Sequence, residues 1–239
     1  MAFPVELGRS TSAQLRGTRP AVITPVGSTE QHGPHLPLDT DTRIATEVAR
    51  AALERLSANP VPSWVLAPGI GYGASGEHQS FAGTISIGTE ALTLLLVEYG
   101  RSAAQWAQRL VFVNGHGGNV EALRSAVARL RSEGRDVTWC PCISVGGDAH
   151  AGHTETSLVL YLSPAEVSID RWQPGNRAPV SELMPVMRHG GIGAVSDVGV
   201  LGDPTTATAA EGERIFVEMV TDCVRRIGAW FPAADGMLT

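Results

Sequence analysis

"AVITPVGSTEQHGPHLPLDTDTRIATEVARAALERL", residues 21–56, changes its hydrophobic period once, and that change decides the fold. "AVITPVGS" (21–28) is a short apolar run closed by Gly27 and Ser28, the pattern of a buried strand. "DTRIATEVARAALERL" (41–56) then sets Ile44, Val48, Ala52 and Leu56 on one i+4 row and Ala45, Ala49 and Leu53 on the next, an amphipathic helix. Between them, "STEQHGPHLPLDTDT" (28–42) packs one Glu, two His and two Asp into fifteen positions, in a chain with seven His among 239 residues. A polar loop that caps a helix is one explanation; half of a metal site is the other.

The same alternation continues outward. "SWVLAPGI" (63–70) reads as a second strand and "GTISIG" (83–88) as a short third one. Thr89 can cap a helix from Glu90 to about Gln108. "RLVFVNGH" (109–116) is a strand that ends in a turn, followed by a helix from an Asn119 cap to Gly134. "DVTWCPCIS" (136–144) is a strand and "ETSLVLYL" (155–162) a helix that stops before Ser163-Pro164. Residues 165–205 are loop-rich. "TAAEGERIFVEMVTDCVRRIGAW" (208–230) closes the chain as a helix with Phe216, Met219, Val220, Cys223, Val224 and Ile227 on one face. Strands alternating with helices imply a mostly parallel sheet covered on both faces. The length suits one domain, 1–239, without repeats or linkers.

Composition removes several functions. All eighteen basic residues are Arg, so a Schiff-base lysine, a Walker-type lysine and a Ser-Lys pair are excluded. A net charge of −6 without a basic stripe argues against nucleic-acid binding. "MAFPVELGRSTSAQL" (1–15) has no apolar signal core, and "LTLLLV" (92–97) is too short to span a bilayer, so a cytoplasmic chain is expected. Three cysteines, an odd number in such a chain, argue for free thiols. Cys140-Pro-Cys142 lacks the second pair of a zinc site and reads as core thiols. Gly71-Tyr-Gly73-Ala-Ser-Gly76 fits a dinucleotide fingerprint, but no helix pattern follows it to receive a phosphate. No G-x-S-x-G elbow is present.

The ionisable clusters fall where strands end, which is where open α/β sheets bind ligands. Glu30-x-His32 lets two side chains point the same way from an extended segment. Asp41 is either a third ligand or a helix cap that meets the dipole. Asp39 reads as a loop acid, and His35 as a supporting or surface residue. In "VNGHGGN" (113–119), glycines on both sides let the backbone turn tightly and expose His116 as a ligand or catalyst. "DAHAGHTETS" (148–157) adds His150, His153 and Glu155. Imidazole and carboxylate together suit a hydrolytic zinc, manganese or iron site.

Five stretches, "STEQHGPHLPLDTD" (28–41), "GEHQSFAGTIS" (76–86), "NGHGGN" (114–119), "HAGHTETS" (150–157) and "GVLGDPTTATAAEGERI" (199–215), resemble the creatininase family in order and spacing. The resemblance runs from about residue 20 to 230. It implies a three-layer α/β/α sandwich and two divalent metal ions per chain (zinc, iron or manganese) that cleave amide-type C–N bonds. Carried over by position, Glu30 and His116 bind one metal, His32 the other, and Asp41 bridges them. Creatininase itself has a ligand Glu two positions after the motif His; Gly118 stands there in this chain, and Glu155 is the expected replacement, on the second metal. His150 and Glu155 are the expected catalytic residues, His150 giving a proton to the leaving nitrogen or steadying the oxyanion. Glu77 and His78 either line the substrate mouth or stabilise their loop. The carboxylate that precedes the catalytic His in creatininase is replaced by Ala149, which argues against creatinine. Within the family the chain is similar to a peptide-processing branch, whose substrate is the radical-enzyme-modified C-terminus of a small precursor peptide. Hydrolysis of a small cyclic amide or formamide, and an inactive metal-binding scaffold, are the alternatives. A homo-oligomer is expected, with neither nucleic-acid nor membrane partners.

Overall fold

The computed structural model describes residues 5–58 and 63–239; the start of the N-terminal stretch read above lies outside them. Four strands, β1 (Ala21–Val26), β2 (Trp64–Leu66), β3 (Arg109–Asn114) and β4 (Val137–Pro141), form a sheet in the order β2-β1-β3-β4. Every pairing is parallel, with Ile23 opposite Leu66 and Val111. Among the described residues, seven α-helices accompany it: α1 (Ser12–Leu15), α2 (Thr40–Leu56), α3 (Gly88–Ala103), α4 (Val120–Ser132), α5 (His153–Leu162), α6 (Val180–Gly190) and α7 (Ala209–Ala229).

Strand alternation sorts the core into two layers. Ala21, Ile23, Val111 and Val113 face one way and pack with Val48 and Leu53 of α2 and with Val220 and Ile227 of α7. Val22, Val26, Leu110 and Phe112 face the other way and meet Leu92 and Leu96 of α3 and Leu123 and Leu130 of α4. Full burial of such a side chain contributes about 1.5–3 kcal/mol. The expected α/β/α sandwich is what these two layers make.

Two readings of the sequence do not survive. "GTISIG" is not a strand. Its amides are taken by loops, Ile85 N–H by Thr29 O and Ile87 N–H by Gly73 O, so the segment clasps the loop after β1 instead of joining the sheet. The loop-rich stretch 165–205 contains α6, which carries Pro185 inside it. Elsewhere the order of elements holds and the ends shift: β2 is three residues long, and α3 begins at Gly88 and ends at Ala103.

Glycines at two strand ends position the site. A β-carbon on Gly27, just after β1, would stand 2.4 Å from the Thr42 backbone nitrogen; one on Gly115, just after β3, would stand 2.4 Å from the Asp41 carbonyl oxygen. Only glycine lets both strand ends lie flush against the first turn of α2.

Candidate metal centre

The segment after β1 runs extended, so Glu30 and His32 enter the interior on the same side, both with no exposed surface. Asp41 projects from the first turn of α2 and is also buried. Its two oxygens divide between two imidazoles: Oδ1 lies 3.1 Å from His32 Nε2, and Oδ2 lies 3.0 Å from His116 Nδ1. Ser28 Oγ donates to Oδ2 at 2.8 Å. His116 reaches this point from the turn after β3, and its Nε2 is 3.3 Å from Glu30 Oε2. Asn119, read in sequence as a helix cap, makes no cap hydrogen bond. Instead its Oδ1 accepts from Ala74 N–H at 2.9 Å, and its Nδ2 donates to Gly27 O at 2.9 Å and Asn114 Oδ1 at 3.2 Å, which ties three strand-end loops together.

Glu155 comes from the first turn of α5. Its Oε2 accepts from Ala151 N–H at 2.6 Å and lies 3.9 Å from both His32 Nε2 and His150 Nδ1. His150 donates from Nε2 to Gln31 O at 2.9 Å, which turns Nδ1 toward Glu30 and Glu155. Donor atoms therefore gather as Glu30, Asp41 and His116 on one side and His32, His150 and Glu155 on the other, while Glu30 also groups with His78 and His150. The other sequence candidates stand outside. Asp39 is exposed and paired with Arg43, His35 lies with Nε2 2.8 Å from Thr156 Oγ1, and His153 lies beside Thr206. All three cysteines are free thiols; Cys140 and Cys223 are buried and Cys142 partly so.

The electrostatics favour cations. Burial works against charge on His32, yet the Asp41 carboxylate beside it pushes the imidazole up to about 10. His116 is also pushed up to about 10, by Glu30 and Asp41 against the same burial. Asp41 stays well below the usual carboxylate range: burial opposes its charge, and the flanking imidazoles win. Burial and the Asp41 charge raise Glu30 to about 7; burial and Asp41, opposed by His32, raise Glu155 to about 7. His150 moves the other way, well below the usual histidine range, through burial and then the charge on His32. Its Nδ1 is therefore a free lone pair. Neither oxygen of the fully buried Glu30 makes an aligned hydrogen bond among the described residues, although His78 Nε2 and His116 Nε2 stand 3.1 and 3.3 Å away, and a bound cation would complete its partners. The donors are carboxylate and imidazole, the set that holds zinc, manganese or iron, so the residues fit such ions.

A cavity of about 340 Å³ opens beside these groups. Glu77 and His78 border it; His78 is buried, with Nε2 3.1 Å from Glu30 Oε1. The opposite wall is apolar and comes from α6, through Val180, Met184 and Met187. That i, i+4, i+7 stripe was readable in "VSELMPVM" and went unread among loop residues. Gln31 was missed as well. Its Oε1 accepts from Gly33 N–H at 2.8 Å, and its Nε2 donates to Gly199 O at 3.0 Å and to His78 Nδ1 at 2.9 Å. This assigns the proton of His78 to Nε2, facing Glu30. A glutamine carries no ligand signature; only its place between Glu30 and His32 pointed to it.

The family model for creatininase, described as creatinine amidohydrolase, matches residues 7–227. The mycofactocin precursor peptide peptidase of Mycobacterium tuberculosis is 69% identical over 98% of this chain and 95% of its own length. The protein of that name from Mycolicibacterium smegmatis is 63% identical over 100% of this chain and 97% of its own length. A crystal structure of creatininase superposes with a TM-score of 0.76 at 27% identity, covering 97% of this chain and 100% of that one. With the family model matched over residues 7–227 and the parallel sheet in place, the chain belongs to the creatininase family.

Proposed function

We propose that this chain is a metal-dependent peptidase that releases the modified C-terminal dipeptide from a small precursor peptide in mycofactocin biosynthesis. As a creatininase-family member it is a hydrolase of C–N bonds. The observation that carries the metal reading is Asp41, whose two oxygens face two imidazoles from different loops at 3.1 and 3.0 Å. A carboxylate so divided suits two divalent ions, one held with Glu30 and His116, the other with His32 and Glu155. Zinc, manganese and iron are the candidates; solved creatininases include a manganese form and a zinc-zinc form.

Bound ions would lower the pKa of a water and polarise the scissile carbonyl. The chain's own residues do the rest. His150, neutral and held by Gln31 O, accepts a proton at Nδ1 from the attacking water. It then returns that proton to the leaving nitrogen. Val180, Met184 and Met187 give the cavity an apolar wall.

Peptide length is supported by a second cavity of about 520 Å³, which shares Ala149, Val180 and Leu201 with the first. Together they offer more room than a small cyclic amide uses. Among the described residues, no helix is long and apolar enough to cross a membrane, and cytoplasmic location is part of the proposal. So is a homo-oligomer, which the exposed Ile143, Val145 and Val217 around one surface depression support; a 25 kDa monomer in light scattering would refute it.

The test measures metal content beside cleavage of the radical-enzyme-modified precursor peptide, with creatinine as the control. Two ions with peptide cleavage are expected. Fast creatinine turnover without peptide cleavage overturns the substrate, and bound metal without turnover of either makes the chain an inactive scaffold.

A further inference from the structure

We propose that the second cavity receives the peptide stem, the part of the substrate before the scissile bond, and that Arg177 binds a carboxylate side chain of that stem. The inference rests on the peptidase reading. The two cavities, of about 340 and 520 Å³, meet along Ala149, Val180 and Leu201. Asp41, His116, His150 and Glu155 border the first, and none of them borders the second. The scissile bond therefore belongs in the first. The released dipeptide ends close to that bond and needs only a pocket. The stem continues, so it needs a way out, and the shared edge beside His150 leads into the second cavity.

Three chain segments lie side by side under that cavity. Leu201 N–H bonds His150 O at 2.8 Å, and His150 N–H bonds Leu201 O at 3.3 Å. On the other flank, Asn176 N–H bonds Val200 O at 3.1 Å and Gly175 N–H bonds Gly202 O at 3.0 Å. Gly202, with φ +152°, lies so close to the first segment that a β-carbon would stand 2.1 Å from Asp148 Oδ2. The segment that carries His150 and the one that carries Arg177 are thus tied to one central segment. A substrate group on Arg177 is held at a fixed distance from the chemistry.

The charges in the cavity are not equivalent. Asp148 is spent on the first turn of α5, where Oδ2 accepts from His153 N–H at 2.5 Å and Oδ1 from Thr154 N–H at 3.0 Å. Asp203 Oδ1 accepts from Thr205 N–H at 3.0 Å and from the Thr205 hydroxyl at 2.6 Å, and its Oδ2 pairs with Arg177. Arg177 is 64% exposed and, among the described residues, uses one nitrogen for that pair. A guanidinium has five N–H donors in a planar fork, so most remain for a ligand. An exposed ion pair holds its partners weakly, so the side chain can turn to a second carboxylate at little cost. The chain has no lysine, and no other arginine borders either cavity. The stem backbone is neutral; a carboxylate side chain is the group that a guanidinium recognises.

The experiment compares metal-loaded wild type and Arg177→Ala on three peptides. These are the full-length modified precursor, a C-terminal fragment of it that keeps the dipeptide but lacks most of the stem, and a precursor whose stem Asp and Glu are replaced by Asn and Gln. Arg177→Ala should raise KM for the full-length precursor about three- to tenfold with kcat unchanged, between the value of an exposed ion pair and that of a charged hydrogen bond. The difference should shrink as added salt screens the pair. The fragment should show one KM with both proteins, and the amide precursor should show with wild type the KM that the full-length precursor shows with the variant. An unchanged KM for the full-length precursor with Arg177→Ala, or for the amide precursor with wild type, overturns the proposal. So does an equal rise for fragment and full-length precursor, which would put the released end on Arg177. If wild type holds its ions and cleaves none of the three peptides, the peptidase reading itself fails.

Discussion

Replacing Gln31 with leucine isolates what one uncharged residue does for a cluster of charged ones. Gln31 is 5% exposed. Leucine nearly fills its volume and can make none of its hydrogen bonds. Two buried acceptors, Gly199 O and His78 Nδ1, then lose their donor; Gly33 N–H is half-buried and can turn to water. Each stranded buried group costs about 1–3 kcal/mol, so the loss should be about 2–6 kcal/mol. Against a typical total of about 5–15 kcal/mol this is easily read as a lower urea midpoint with an unchanged slope. The metal-free protein is the right sample, because bound ions add their own stabilisation. A second effect follows. Without Gln31 the ring of His78 loses the bond that keeps its Nε2 proton toward Glu30, so ion affinity should fall about 10–100-fold although no proposed ligand is touched. A stability change below about 0.5 kcal/mol, the range of ordinary surface substitutions, together with unchanged ion affinity would refute the network.

His150→Ala should keep both ions and slow peptide cleavage about 10²–10⁴-fold, the usual value of a proton-transfer group; loss of metal along with rate would make His150 a structural residue. Glu155→Gln should release one ion and keep the other in elemental analysis, and a variant with two tight ions removes Glu155 from the ligand set. Acid should destabilise the fold through His35, which burial and then the charge on His32 lower to about 4. The folded value lies below the unfolded one of about 6.5, so the unfolded chain takes the proton first; this stability is complete above about 6.5 and drains away as pH falls to about 4, by up to about 3 kcal/mol. His35→Gln should flatten that limb in a pH series of unfolding midpoints, and an unaltered series counts against it.

Much of the fold was legible because its signals are local. The apolar run at 21–26, the i+4 rows of α2 and the face of α7 each report burial over a few consecutive residues. "GTISIG" misled for the same reason. It has the β-branched composition of a strand, but whether its amides meet a sheet or a loop depends on Thr29 and Gly73, far away in the chain. Helix α6 went unread because Pro185 and the surrounding glycines argued for loop, while the stripe Val180, Met184 and Met187 packs on a site that no local pattern locates.

The site divides along the same line. Glu30, His32, Asp41, His116 and Glu155 are residue types that ligate metals, placed at strand ends and helix starts, so sequence alone nominated them. What brings them together is glycine. Without the flush contact of Gly27 and Gly115 against the first turn of α2, Asp41 would be what the sequence also allowed, a helix cap. Gln31 is the converse case. It matters because three loops converge on its amide. Residues whose role comes from their own chemistry can be found from a sequence; residues whose role comes from a neighbour's shape need the folded chain.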